Sequence, residues 1–173
     1  MSNLFLALVA TIAFTGVSFS TTAADKTDQA KAEYDAAKVR ADAGYNTSRL
    51  RCKDFSGNDR DVCMEKAKAT FVKAKAEAKA NYEGTGEAKL EAREDAIEAD
   101  YKVAKEKCDS LAGDAKDVCV AEAKAVYAKK GAAIEAREES MEADYTIAKA
   151  RCNTLSGDAR QNCLKEAKVK YDD

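Results

Sequence analysis

Residues 101–127 read YKVAKEKCDSLAGDAKDVCVAEAKAVY, and the same pattern occurs twice more in the chain. Residues 145–171 read YTIAKARCNTLSGDARQNCLKEAKVKY, and residues 45–71 read YNTSRLRCKDFSGNDRDVCMEKAKATF. In each copy an aromatic residue is followed after seven residues by a Cys, after 11 more by a second Cys, and after eight more by another aromatic residue. Such self-similarity is typical of repeat proteins in which each unit is one supersecondary element.

A heptad-like seam runs through the first half of each copy. In the second copy it consists of Ile97, Tyr101, Ala104, Cys108 and Leu111, at steps of 4, 3, 4 and 3 residues. This spacing is typical of one face of an amphipathic helix. The equivalent seams are Ala41, Tyr45, Ser48, Cys52 and Phe55 in the first copy, and Met141, Tyr145, Ala148, Cys152 and Leu155 in the third.

A glycine follows each seam, at Gly57, Gly113 and Gly157. Glycine favours the left-handed conformation that ends helices, and the Asn or Asp that comes next is a good N-cap for a second helix. The predicted N-caps are Asn58, Asp114 and Asp158. Each copy is therefore predicted to be a helical hairpin with a tight turn.

The hairpin explains the spacing of the cysteines. In one continuous helix, residues 11 apart are separated by about 16 Å, because the helix rises 1.5 Å per residue. Folded about Gly113, Cys108 and Cys119 lie opposite each other, and Tyr101 meets Tyr127 about two turns below. The predicted disulfides are Cys52–Cys63, Cys108–Cys119 and Cys152–Cys163, and the equivalent aromatic pairs are Tyr45 with Phe71 and Tyr145 with Tyr171. Each bridge closes a loop of about a dozen residues, which is worth about 3 kcal/mol in the chain-entropy treatment.

The composition agrees with a helical protein that has a thin core. The 173 residues include no Pro, and 35% of them are charged. The absence of the strongest helix breaker favours long helices, whereas an alanine-rich core needs staples or partners. We therefore predict an all-α fold of three tandem disulfide-stapled antiparallel helical hairpins, elongated or loosely bundled.

The first 24 residues are predicted to be a signal peptide. They contain no Lys, Arg, Asp or Glu, and an apolar run up to Phe19 is followed by small residues, which is typical of a cleaved secretory signal. The alternative is an uncleaved anchor, but the run is shorter than the roughly 20 residues that a spanning helix needs. We expect export to an oxidising compartment, the periplasm, which would allow the six cysteines to pair.

The remaining chain divides into three predicted units. They are residues 25–86, with helices over 28–55 and 58–82; residues 87–130, with a hairpin over 88–129; and residues 131–173, with a hairpin over 133–171. Two glycines, Gly84 and Gly86, mark the first boundary. Gly131 either breaks the chain or lies inside a continuous helix.

Several function classes are disfavoured by the sequence. The chain has no His, so it lacks an imidazole base or ligand, and it has no phosphate-binding or dinucleotide-binding motif. The net charge of −2 argues against nucleic-acid binding. Acidic residues near the second turn, Asp109, Asp114 and Asp117, do not follow EF-hand spacing, and capping explains Asp114. We therefore predict no enzyme activity, no cofactor and no metal site.

The motif Y-x-x-A-K-x-x-C-x-x-L-x-G-D-A-[KR]-x-x-C-x-x-x-A-K resembles that of a group of exported Ala/Lys-rich proteins of proteobacteria with helical repeats and paired cysteines. Some of these are labelled TolA-like because of their composition. The first copy departs from the motif at Ser48-Arg49 and Asn58-Asp59. The resemblance implies an exported, periplasmic location and supplies no catalytic residues.

The expected function is that of an exported, non-enzymatic structural or protein-interaction repeat protein of the bacterial envelope. We expect a protein partner or self-association, no nucleic acid, and no stable membrane insertion after signal cleavage. The alternative is a periplasmic ligand- or divalent-cation-binding module that uses the acidic turns or the tyrosine grooves.

Overall fold

The computed structural model describes residues 23–171, so most of the predicted signal peptide, residues 1–22, lies outside the described part. Five helices make up this part: α1 (Ala23–Cys52), α2 (Gly57–Glu83), α3 (Gly86–Cys108), α4 (Gly113–Cys152) and α5 (Gly157–Tyr171). No strand occurs among the described residues. The predicted all-α fold of disulfide-stapled hairpins is confirmed.

The turns contain the left-handed glycines that the spacing predicts. Gly57, Gly113 and Gly157 have φ angles of 55°, 56° and 57°. The predicted N-caps are wrong, because the residue before the glycine takes that position: Ser56 and Ala112 cap α2 and α4 with extended backbone and no side-chain hydrogen bond. The predicted caps Asn58, Asp114 and Asp158 lie inside the first helical turn instead, where an acidic side chain favours the helix N-terminus.

The predicted seams extend one turn too far. The first helix of each hairpin ends at its first cysteine, so the seam residue three positions later lies in the turn. These residues, Phe55, Leu111 and Leu155, are 51%, 42% and 44% exposed. The reason is that the left-handed glycine closes the turn two residues later, which carries these side chains away from the partner helix.

The three predicted disulfides are present and form the most buried part of each hairpin. Their Cα atoms are 5.5 Å apart for Cys52–Cys63, 5.7 Å for Cys108–Cys119 and 5.5 Å for Cys152–Cys163. The first cysteine of each bridge is at most 1% exposed. Among the described residues, the buried hydrophobic side chains are mostly alanines, which bury little apolar area. The bridges therefore supply a covalent link between the two helices of each hairpin that the small alanine contacts cannot replace.

Aromatic pairs close two of the hairpins below the bridge. The ring centroids of Tyr101 and Tyr127 are 5.0 Å apart, as predicted, and those of Tyr45 and Phe71 are 5.1 Å apart. A further pair, Tyr34 with Tyr82, stacks at 4.9 Å farther along the first hairpin. The third predicted pair differs, since among the described residues no ring contact joins Tyr145 to Tyr171. Each of these two rings lies under a lysine ammonium, at 4.9 and 4.8 Å from the ring centroid.

The helices form an open row rather than a closed bundle. Within the described residues, α1 contacts only α2, α2 contacts α1 and α3, and α4 contacts α3 and α5. The predicted break between the first two units is present, since Gly84 is left-handed and Thr85 caps α3 by accepting a hydrogen bond from the Ala88 N–H at 3.1 Å. Gly131 lies inside the continuous helix α4, so the boundary proposed between residues 130 and 131 falls within a helix.

Both α3 and α5 pack on the same side of α4, one after the other. Leu90, Ile134 and Met141 form a buried cluster with Ile97 packed against it, which joins α3 to the middle of α4. At the N-terminus of α3, a Cβ on Gly86 would lie 2.1 Å from the Met141 Cε and 3.1 Å from the Lys170 carbonyl oxygen. Helices α3, α4 and α5 therefore meet at a point where a Cβ would require the Met141 side chain to move.

Candidate interaction surface

The described part of the chain gathers no cluster of cysteine and carboxylate side chains that could hold a metal ion. All six cysteines are in disulfides, and no group of three or more His, Cys, Asp or Glu side chains there is placed to hold a metal ion. The acidic residues near the second turn are not gathered together: Asp109 pairs with Lys116 at 2.8 Å, and Asp114 lies in the first turn of α4. The hydrogen bond from Lys116 lowers the pKa of Asp109.

Two open grooves lie between paired helices at equivalent places in the repeat. The α1–α2 groove has a volume of about 360 Å³ and contains Tyr45 and Phe71, with Arg40 and Glu77 among its polar lining residues. The α3–α4 groove, of about 310 Å³, is lined by the equivalent Tyr101 and Tyr127 together with Ile97, Ala123 and Val126. The rings that the sequence predicts as seam residues thus form the floor of surface grooves.

The first two hairpins are joined by polar contacts between α2 and α3. Lys79 donates to Glu91 at 2.6 Å, Lys73 donates to Asp100, and the Asn58 amide donates to the Glu106 carbonyl oxygen at 3.0 Å. The Glu91 hydrogen bond raises the pKa of Lys79. These contacts fix an antiparallel register in which the start of α2 lies beside the end of α3.

An exposed stripe runs along α1 on the side opposite to α2. It consists of Ala32, Ala36, Val39, Ala43, Asn46 and Leu50, at steps of 4, 3, 4, 3 and 4 residues. All six are exposed, Val39 at 67% and Leu50 at 61%. We call this stripe the α1 outer face. It has the heptad spacing of a helix-packing surface, yet within the described residues no helix lies against it.

A similar stripe runs along the first half of α4 on the side opposite to α3. It consists of Val118, Ala121, Ala125, Ala128 and Ala132, again at steps of 3 and 4 residues. All five are exposed, Val118 at 57%. We call this stripe the α4 outer face. Neither outer face was predicted, because both lie out of register with the cysteine seam, although their steps of 3 and 4 residues can be read from the sequence.

Comparison with protein-family models, with curated proteins and with solved structures finds no match for this chain. Among the described helices, none combines the length and the apolar character needed to cross a membrane. The interpretation of the surface therefore depends on its own geometry and on the internal repeat.

Proposed function

We propose that the protein is an exported, non-enzymatic helical repeat protein of the bacterial envelope that acts by binding other proteins or copies of itself. The observation that carries this proposal is the pair of outer faces on α1 and α4. Both are heptad-spaced and exposed over several helical turns, and apart from Asn46 all their residues are apolar. Helix faces of this kind are normally covered by another helix.

The disulfides support the exported location. Three bridges that each anchor a buried cysteine form and persist in oxidising compartments such as the bacterial periplasm. Cell fractionation followed by mass measurement of the mature N-terminus tests this part. Recovery of a reduced chain from the cytoplasm that retains residues 1–24 would contradict it.

Binding through the outer faces is tested with matched surface variants. We expect Leu50→Glu, on the α1 outer face, to abolish association that the unmodified protein shows in pull-downs and in sedimentation. Val169→Glu is the control, because Val169 is 51% exposed but lies on α5, away from both faces. The proposal is wrong if the purified protein binds neither itself nor any envelope protein, or if both variants bind as the unmodified protein does.

The alternative is a module that binds a small ligand or a divalent cation. The two tyrosine-lined grooves are the observation in its favour, because aromatic side chains with a few polar groups at the rim are common in ligand sites. Calorimetric titration with Ca²⁺, Zn²⁺ and Cu²⁺ tests the cation version directly. Saturable heat that is lost in the Tyr101→Ala and Asp109→Ala variants would favour this alternative over the interaction function.

A further inference from the structure

We propose that the protein assembles head to tail, with the α1 outer face of one copy packed antiparallel on the α4 outer face of the next. This inference deepens the proposed interaction function and rests on it. It names the partner as a second copy of this chain and assigns each outer face to the other. The supporting observation is an interface of the same kind inside the molecule, between α2 and α3.

The α1 outer face has a buried counterpart in α3. The first two repeats are 56 residues apart, so Ala32 and Ala43 are equivalent to Ala88 and Ala99. Ala88 and Ala99 are only 4% and 5% exposed, on the side of α3 that faces away from α4 and towards α2. In the second repeat, this face of the first helix is therefore an interface with the preceding hairpin. In the first repeat, none of the helices within residues 23–171 covers it.

The α4 outer face has a buried counterpart in α2. Adding the same 56 residues to Ala69 and Ala76 of α2 gives Ala125 and Ala132 of α4, and Val62 likewise corresponds to Val118. Ala69 and Ala76 are 5% and 8% exposed, because their side of α2 packs on α3. The two halves of the α2–α3 interface thus recur, uncovered, on α4 and α1 of the same chain.

The register of the proposed contact follows from the internal one. In the α2–α3 pair, Lys79 contacts Glu91. The equivalent residues in the proposed contact are Glu135 of one copy and Asp35 of the next, which are two like charges. Glu135 is exposed, and the Asp35 carboxylate is half-exposed and already paired with Lys31 at 2.7 Å. The repulsion between the two carboxylates therefore weakens assembly without preventing it. Reversing the charge at residue 135 should therefore strengthen the contact.

The contact joins different surfaces of the two copies, so a pair of copies still has one α1 outer face and one α4 outer face available to further copies. Pairing of two α1 faces or of two α4 faces would instead stop at a dimer. The number of copies in the assembly therefore distinguishes these arrangements.

Two variants that each block one face test the proposal. Ala43→Glu blocks the α1 outer face and Ala125→Glu blocks the α4 outer face, and both positions are exposed helical sites where Glu is a good helix former. Sedimentation velocity of the oxidised protein over a wide concentration range should give a series of growing species for the unmodified chain. Each variant alone should be monomeric, and an equimolar mixture should form a dimer and nothing larger. Circular dichroism and intact disulfide mass confirm that each variant is folded.

A gain-of-function variant tests the register. Glu135→Lys restores the charge pattern of the Lys79–Glu91 pair and should strengthen association severalfold, an effect that Asp35→Lys in the same chain should reverse. A strictly monomeric unmodified protein, a mixture that stays monomeric, or one blocked variant that still dimerises alone would each overturn the head-to-tail proposal. If the protein is monomeric but captures an envelope partner that Leu50→Glu loses, this inference fails while the proposed function stands.

Discussion

Replacing both Cys152 and Cys163 with Ala should release α5 from α4 while the other four helices stay folded. Helix α5 has 15 residues and only one buried side chain, that of Ala167. A helix of this length is marginal on its own in water. The disulfide closes a loop of about a dozen residues, so its loss costs about 2.8 kcal/mol in the chain-entropy treatment. That corresponds to about a 100-fold increase in the population with α5 detached.

Hydrogen exchange measured by mass spectrometry on peptides from residues 157–171 is the direct assay. We expect protection there to fall by about two orders of magnitude, and the helical circular dichroism to fall by up to about 11%, since α5 holds 15 of the 135 described helical residues. The control is the double variant Cys108→Ala with Cys119→Ala, which removes the bridge between α3 and α4 and an equally buried cysteine. These two helices also pack on α2 and α5, so they should stay folded without the bridge. Full protection of residues 157–171 without the bridge, or equal loss of protection in both variants, would refute this reasoning.

Two further predictions concern single residues. Gly86→Ala should lower the free energy of unfolding by about 1 kcal/mol, because the new Cβ meets Met141 and a backbone carbonyl oxygen. Gly44→Ala, where a Cβ would have nothing within 4 Å, should raise the free energy of unfolding by about 0.5–1 kcal/mol. Urea unfolding measures both changes, and changes of the same sign in the two variants would contradict the prediction. Asp109→Asn should lower the melting temperature at neutral pH, because the hydrogen bond from Lys116 lowers the pKa of Asp109 in the folded state. The stabilisation by the Asp109 carboxylate is therefore present above its ordinary pKa of 3.8 and is lost as the pH falls through the lower folded pKa. A difference in melting temperature between Asp109→Asn and the unmodified protein that persists unchanged at pH 2 would contradict this prediction.

The local features of the fold could be predicted from the sequence because each is encoded within one repeat. The cysteine spacing, the glycine and the flanking aromatics determine a hairpin. This hairpin predicts the bridge of Cys108 with Cys119 and the contact of Tyr101 with Tyr127, and both are present. The caps were predicted wrongly because Gly113 itself begins the next helix, which places the N-cap one position earlier than the favourable Asp114.

The arrangement of the hairpins could not be predicted in the same way. Alanine is both a good helix former and a small packing residue, so the alanines on the outer face of α1 and those buried between α2 and α3 look alike in the sequence. Which of them is covered depends on a contact such as Lys79 with Glu91 between helices. Gly131 was equally ambiguous, because its cost of about 1 kcal/mol within a helix is offset when the residues around it pack, as Ile134 does on α3.

The continuity of α4 through Gly131 gives the molecule a fixed angular phase between its last two hairpins. Cys119 and Cys152 are 33 residues apart in one helix, which is about 9.2 turns at 3.6 residues per turn, so the two bridges lie on the same side of α4 to within about 60°. Inserting one residue between them would rotate α5 by about 100° around α4 and separate it from α3. Length changes near whole turns, such as seven or 11 residues, would preserve the alignment and alter only the span between the second and third turns.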